Sequence, residues 1–229
     1  MNLIEFTGMK RSGNHAIIHW MMKNISRTND VNVIKPMGTY SSDNCIFFNC
    51  LNHSRINKDK DEEKRLDIES ELQKRTYDWY ILSYEDCHIG TKYNWLPYKF
   101  DKTYKFSIVR NVKSVIASRL KRIDNYYKEN NRFDSDMDIY PSFFEHYISH
   151  KNWKNVIYYD RWIEDKKYRD SICKVLNVEN LDYRDKCTTE GDGSSFVGYN
   201  LDSVENLLNR DKMYKIPEKY LKKIEELNL

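Results

Sequence analysis

The 229-residue chain is short of several things, and each shortage closes off a class. There are four prolines and seven glycines, with no Pro/Ser-rich linker and no internal repeat. Nothing therefore marks a hinge, and the length fits a single domain over residues 1–229. Cysteine is limited to Cys45, Cys50, Cys87, Cys173 and Cys187. The number is odd and no CxxC occurs, which argues against a disulfide framework and against a zinc site. Reduced thiols fit a cytosol, so a cytoplasmic location is expected. No apolar run approaches about 18 residues, so no membrane span is expected. The opening "MNLIEFTG" has no basic stretch and carries Glu5, unlike a signal peptide. A surplus of either charge is missing too: 38 Lys and Arg against 35 Asp and Glu leave +3. That balance gives no overall basic field for nucleic acid, so any anion site must be local.

What is present alternates. Residues 3–7 read as a buried strand and 14–25 as a helix, with Ala16, Ile17, Met21 and Ile25 at helical spacing. "VNVIKP" and "CIFFNCLN" are short strand candidates, the first stopped by Pro36. Residues 57–75 are charged at most positions and read as a solvated helix or loop. Residues 77–86 and 104–111 are rich in aromatic and β-branched side chains and read as strands. Helical patterns cover "VKSVIASRLKRIDNYYKEN" and "PSFFEHYISHK", the latter with Pro141 in its first turn. "WKNVIYYDRW" reads as a strand and "KYRDSICKVL" as a helix. Residues 185–200 read as a loop holding three of the seven glycines. Closing helices are predicted over "DSVENLLNR", capped by Asp202, and "PEKYLKKIEEL", with Pro217 in its first turn. The alternation predicts an α/β fold of three layers, a mostly parallel central sheet with helices on both faces.

Two stretches carry chemistry. In "GMKRSGNHAIIHW" a strand passes through a glycine-bounded loop into a helix. That arrangement points backbone N–H groups, and the positive end of the helix, at an anion. Gly8 and Gly13 permit tight turning, Lys10 and Arg11 add charge, and Ser12 adds a hydroxyl. The glycine spacing matches the first half of a Walker A loop. The second half does not: Gly13-Asn14-His15 stands where GK[ST] would hold a magnesium triphosphate. In "FSIVRNVKSVIASR", Arg110 closes a strand and Ser118 follows eight residues later on a helix. Carboxyl ends of strands are where ligands bind in open α/β sheets, and Arg110 and Ser118 are placed to grip a phosphate. Two anion sites on one sheet edge suit a ligand with two separate phosphates.

"KRSGNHAIIHW" resembles the 5′-phosphosulfate loop of sulfotransferases, and "RNVKSVIASR" resembles their 3′-phosphate motif. The order and separation of the two motifs fit as well. A weaker likeness covers "YDRWIEDKKYRDSICKVLNV" and "GDGSSFVG". The resemblance implies a P-loop nucleoside-kinase-like architecture. It also implies transfer of a sulfuryl group from 3′-phosphoadenosine-5′-phosphosulfate (PAPS) to a hydroxyl or amine of a small-molecule or glycan acceptor, with a carbohydrate preferred. On that reading Arg11, or Lys10, neutralises the leaving 5′-phosphate oxygen. Ser12, Gly13, Asn14 and His15 cradle the 5′-phosphate, and Arg110 and Ser118 hold the 3′-phosphate. Gly193, Ser194, Ser195 and Phe196 wrap the adenosine end, with Phe196 a stacking candidate. No metal is implied, because the transferred group is singly charged.

The base that deprotonates the acceptor is open between two places. Carbohydrate sulfotransferases often carry a glutamate eight residues after the loop lysine, and counting eight from Arg11 gives His19. An imidazole there suits proton removal near neutral pH. The rivals are Glu85, Asp86 and His88 in "YEDCHIG". Two other functions compete: a P-loop kinase using ATP, and a non-catalytic domain binding polyanions through "RLKRIDNYYK". The latter stretch reads more readily as a solvated helix face.

Overall fold

The computed structural model describes residues 1–27, 32–34, 39–42, 44–49, 70, 73, 76–86, 98–131, 138–139, 141–182 and 208–229. The strands are β1 Asn2–Gly8, β2 Asn32–Ile34, β3 Thr39–Ser41, β4 Cys45–Asn49, β5 Trp79–Glu85, β6 Lys102–Val109 and β7 Val156–Tyr158. The helices that matter below are α1 Asn14–Ser26, α2 Val112–Asn130, α3 Phe143–Lys151, α4 Tyr159–Glu164, α5 Lys166–Leu176, α6 Arg210–Met213 and α7 Glu218–Glu226.

The strands form one sheet in the order β2-β3-β4-β5-β1-β6-β7. From β4 through β7 every neighbour is parallel, and β2 and β3 add an antiparallel edge. An α/β fold with a five-stranded parallel segment is therefore established. β1 lies between β5 and β6, with Asn2 in register with Trp79 on one side and Lys102 on the other. Such a strand must be apolar on both faces. Accordingly Ile4 and Phe6 enter one core while Leu3 enters the opposite one.

From β1 the chain runs through α1 toward β4 and β5; from β6 it runs through α2 to β7, in the other direction across the sheet. Right-handed crossovers in opposite directions put the two helices on opposite faces. The packing agrees. Ile17, Ile18, Trp20 and Met21 of α1 join Ile4, Phe6, Ile81 and Trp162 in one cluster. Val115, Ile116 and Ala117 of α2 join Val109, Phe143, Tyr147 and Ile224 in another. α4 covers α1 in turn, with Trp20 edge-on to Trp162 at 5.8 Å. Enclosure on both sides explains why even Lys23 and Asn24 of α1 are buried. Among the described residues no helix is long and apolar enough to cross a membrane.

Two expectations need adjustment. The strand over "WKNVIYYDRW" is only Val156–Tyr158, and the chain turns helical at Tyr159. Tyr159, Trp162 and Ile163 are all buried at i, i+3 and i+4, a helical stripe that outweighs the β-propensity of the preceding residues. Pro141 and Pro217 precede their helices, which begin at Phe143 and Glu218. Of the helix expected over "DSVENLLNR", residues 202–207 lie outside the described residues and Leu208 is helical; a short helix, Arg210–Met213, follows. Residues 57–75 apart from 70 and 73, the loop 185–200, and Asp202 lie outside the described residues.

Candidate functional site

The strand order reverses direction around β1, and the carboxyl ends of β1 and β6 flank that switch point. In open α/β sheets this is where a crevice forms. Both sequence motifs end there: the loop 9–13 follows β1, and Arg110 follows β6.

The first loop is shaped by two glycines and one asparagine. A Cβ on Gly8 would stand 2.5 Å from Asn14 Oδ1 and 3.0 Å from the Ile108 carbonyl, so only glycine lets Asn14 tuck beneath the loop. There Asn14 donates from Nδ2 to the Met9 carbonyl (3.3 Å) and to Glu85 Oε1 (2.8 Å). Gly13 holds φ 88° as the N-cap of α1, and a Cβ on it would collide with Cδ2 and Cε2 at the edge of the Tyr159 ring. Having no side chain, this cap supplies no side-chain acceptor to the first-turn N–H groups of α1. Ser12 is fully buried in the loop, and its hydroxyl has no hydrogen-bond partner among the described residues. A buried hydroxyl of this kind normally finds a partner. A helix start and a buried Ser hydroxyl are both features that suit an anion.

The second motif works through side chains instead. Asn111 caps α2, accepting at Oδ1 from the N–H groups of Lys113 (3.0 Å) and Ser114 (3.3 Å). Those N–H groups are thus occupied, and the burden falls on Arg110 and Ser118. Arg110 is 1% exposed. Its guanidinium stacks 4.5 Å over Tyr159, the same ring that packs on Gly13. Its Nε lies 3.9 Å from Asp160 Oδ1, and Asp160 also accepts from the Asn111 N–H at 2.9 Å. The Arg110 carbonyl accepts from the Tyr147 phenol at 2.7 Å. Burial and the Asp160 carboxylate push that phenol well above its ordinary range, so it stays a donor.

Ser118 joins the two motifs. Its Oγ accepts from Arg11 Nε at 3.2 Å and from Arg210 Nη1 at 3.2 Å. Arg11 comes from the first loop, where it holds φ 73°, and Arg210 from the start of α6. Three guanidiniums thus gather about the crevice, with Asp160 beside one of them. Guanidiniums and buried hydroxyls are groups that suit phosphate oxygens.

The remaining predicted residues divide. His15 Nε2 lies 3.9 Å from Glu85 Oε1, and its ring meets Phe47 edge-on at 6.3 Å. Glu85 is therefore beside the first helix rather than a separate site. His19 is half-buried one turn further along α1. Asp86 is 4% exposed and pairs with Arg119, so its carboxylate is engaged. Lys10 has a half-buried side chain and a main chain held from both sides. His88, Gly193, Ser194, Ser195 and Phe196 lie outside the described residues. Among the described residues, no three His, Cys, Asp or Glu gather as metal ligands. The aromatic residues Phe143, Phe144 and Tyr147 of α3 belong to the core over α2. In "RLKRIDNYYK", Arg119 is fully buried, while residues 120–128 are half-buried or exposed.

Sequence reasoning missed Tyr159, Arg119 and Arg210. Tyr159 carried a signal in its i, i+3, i+4 pattern with Trp162 and Ile163. Arg119 and Arg210 carried none, since their partners are 33 and 92 residues away. No protein-family model matches the chain, and no curated protein matches it.

Proposed function

We propose that this chain is a sulfotransferase of P-loop-like architecture that uses PAPS as co-substrate. The observation that carries the reading is the hydrogen bond from Arg11 to Ser118, which joins the two anion motifs across 107 residues of sequence. A ligand with two phosphates needs that convergence. In this reading the α1 N-terminus, Ser12 and Arg11 hold the 5′ end, and Arg110, Ser118 and Arg210 hold the 3′-phosphate. PAPS supplies the sulfuryl group. Charge that develops on the 5′-phosphate oxygen is met by the guanidinium of Arg11 and by Lys10, in a loop already in position. The acceptor hydroxyl must lose its proton as its oxygen bonds to sulfur; His19 and the His15–Glu85 pair are the groups on α1 and β5 that can take it. A carbohydrate acceptor and a cytoplasmic setting belong to the same proposal.

A magnesium-ATP kinase is disfavoured by specific residues. Asn14 occupies the place of the phosphate-binding lysine and is turned beneath the loop. Two carboxylates at the end of β5, Glu85 and Asp86, are engaged with Asn14 and Arg119.

Calorimetry with 3′-phosphoadenosine-5′-phosphate, beside ATP with magnesium, tests the proposal. The bisphosphate is expected to bind without metal, and Arg110→Ala to weaken it at least about tenfold, the worth of one charge-assisted hydrogen bond. Equal affinity for adenosine 5′-phosphate, or a strict need for magnesium, would refute it.

A further inference from the structure

Asp86 follows β5 and Arg119 lies within α2, yet they meet as an ion pair in the interior. Their exposures are 4% and 0%. Taking two charges out of water is costly unless their remaining hydrogen-bonding capacity is filled. Here much of that capacity is directed at one stretch of backbone. Asp86 Oδ1 accepts from the Lys10 N–H at 2.9 Å, and Arg119 Nε donates to the Lys10 carbonyl at 3.3 Å. The Asp86 N–H donates to the Gly8 carbonyl at 2.9 Å. Arg119 is itself fixed, donating from Nη1 to the Asp138 carbonyl (3.1 Å) and lying 5.1 Å over the Phe143 ring. Both main-chain hydrogen-bonding groups of Lys10 are thus held by one buried pair.

The next residue shows why that matters. Arg11 holds φ 73°, a left-handed conformation that a non-glycine residue keeps only when its surroundings impose it. That conformation directs Arg11 to Ser118 and sets the course of the chain into Ser12 and Gly13. We propose that Asp86 and Arg119 are positioning residues, a clamp that presets the loop for the 5′-phosphate before the ligand arrives. The identity of that ligand rests on the sulfotransferase reading; the clamp itself rests on the contacts just given. Because Arg119 adjoins Ser118, the clamp also ties the 3′ grip to the 5′ loop.

The double variant Asp86→Asn/Arg119→Met removes both charges of the pair together, and asparagine tolerates the φ of 51° that Asp86 holds. Circular dichroism first establishes that it folds. Amide hydrogen exchange then reads Lys10, whose N–H is expected to exchange at least about fivefold faster once its charged acceptor is neutral. Calorimetry compares adenosine 5′-phosphate, adenosine 3′-phosphate and the bisphosphate. Affinity for the two 5′-phosphorylated ligands is expected to fall about tenfold or more, with less than about a twofold change for the 3′-phosphate. A general loss of structure would weaken all three alike, and that result would overturn the clamp, as would unchanged exchange at Lys10. If the double variant does not fold, Arg119→Lys takes its place. It keeps the charge opposite Asp86 but lacks the fork needed to reach the Lys10 carbonyl as well, and the same pattern is expected on a smaller scale. Should the wild type bind none of these nucleotides, the sulfotransferase reading falls, while exchange at Lys10 still decides the clamp.

Discussion

Gly13→Ala tests the joint between the first loop and the second motif. Two costs add. An L-residue at the φ of 88° found here pays roughly 1–2 kcal/mol. The new methyl also meets the Tyr159 ring, which is 2% exposed and held between Arg110 and Trp162. It has little room to move, and overpacking of this kind costs roughly 1–3 kcal/mol. The sum, about 2–5 kcal/mol, is a large part of the roughly 5–15 kcal/mol that holds a domain folded. Urea unfolding should show a lower midpoint with an unchanged slope. A double-mutant cycle with Tyr159→Ala separates the two terms. Removing the ring abolishes the clash and leaves the backbone cost, so the pair should be non-additive by about 1–3 kcal/mol. A Gly13→Ala cost below about 1 kcal/mol, or additivity within about 0.5 kcal/mol, would refute this account of the joint.

Arg210→Ala removes one of the two guanidiniums on Ser118 and is expected to weaken the bisphosphate about tenfold by calorimetry while leaving adenosine 5′-phosphate nearly unchanged. Asn111→Ala uncaps α2 and should lower stability by about 1 kcal/mol in urea titrations. Burial, with help from the Asp170 and Asp182 carboxylates, pushes the Cys173 thiol up to about 12. Its folded value lies above its unfolded one, so its contribution is whole below the ordinary thiol value of about 8.5 and is lost as pH climbs toward the folded value. The urea midpoint should therefore fall between about pH 9 and 12, and fall less in Cys173→Ala. For the same reason iodoacetamide at mildly alkaline pH should label Cys45 and Cys173 only after denaturation, read by peptide mapping.

What the sequence made legible was local. α2 matches the helical pattern from Val112 to Asn130, and β1 and α1 are predicted within a residue or two, because their apolar spacing is regular. The glycine-bounded loop was visible because φ and close approach restrict residue type. The strand misread at Tyr159 shows where the method fails: four β-favouring residues concealed a helical stripe that starts in their midst. The Asp86–Arg119 pair and the Arg210–Ser118 contact had no local signature at all. A charged residue bound for the interior looks like any surface charge until its partner is brought alongside, and only the topology does that. Arg119 sat in a stretch that read as a solvated helix face; Asp124, Tyr127 and Lys128 are exposed there, whereas Arg119 is buried.

The place of β1 in the sheet bears on how the chain comes together. Its residue 2 must find residues 79 and 102, so neither edge can be satisfied by a nearby segment. Contacts this distant in sequence slow folding and leave an apolar strand open to intermolecular pairing in the meantime. During synthesis the seven residues Asn2–Gly8 would wait until the whole of β6 had left the ribosome before both neighbours were available. The loop 9–13 that hangs from β1 takes shape only then, which makes this early-made segment one of the last to reach its final form.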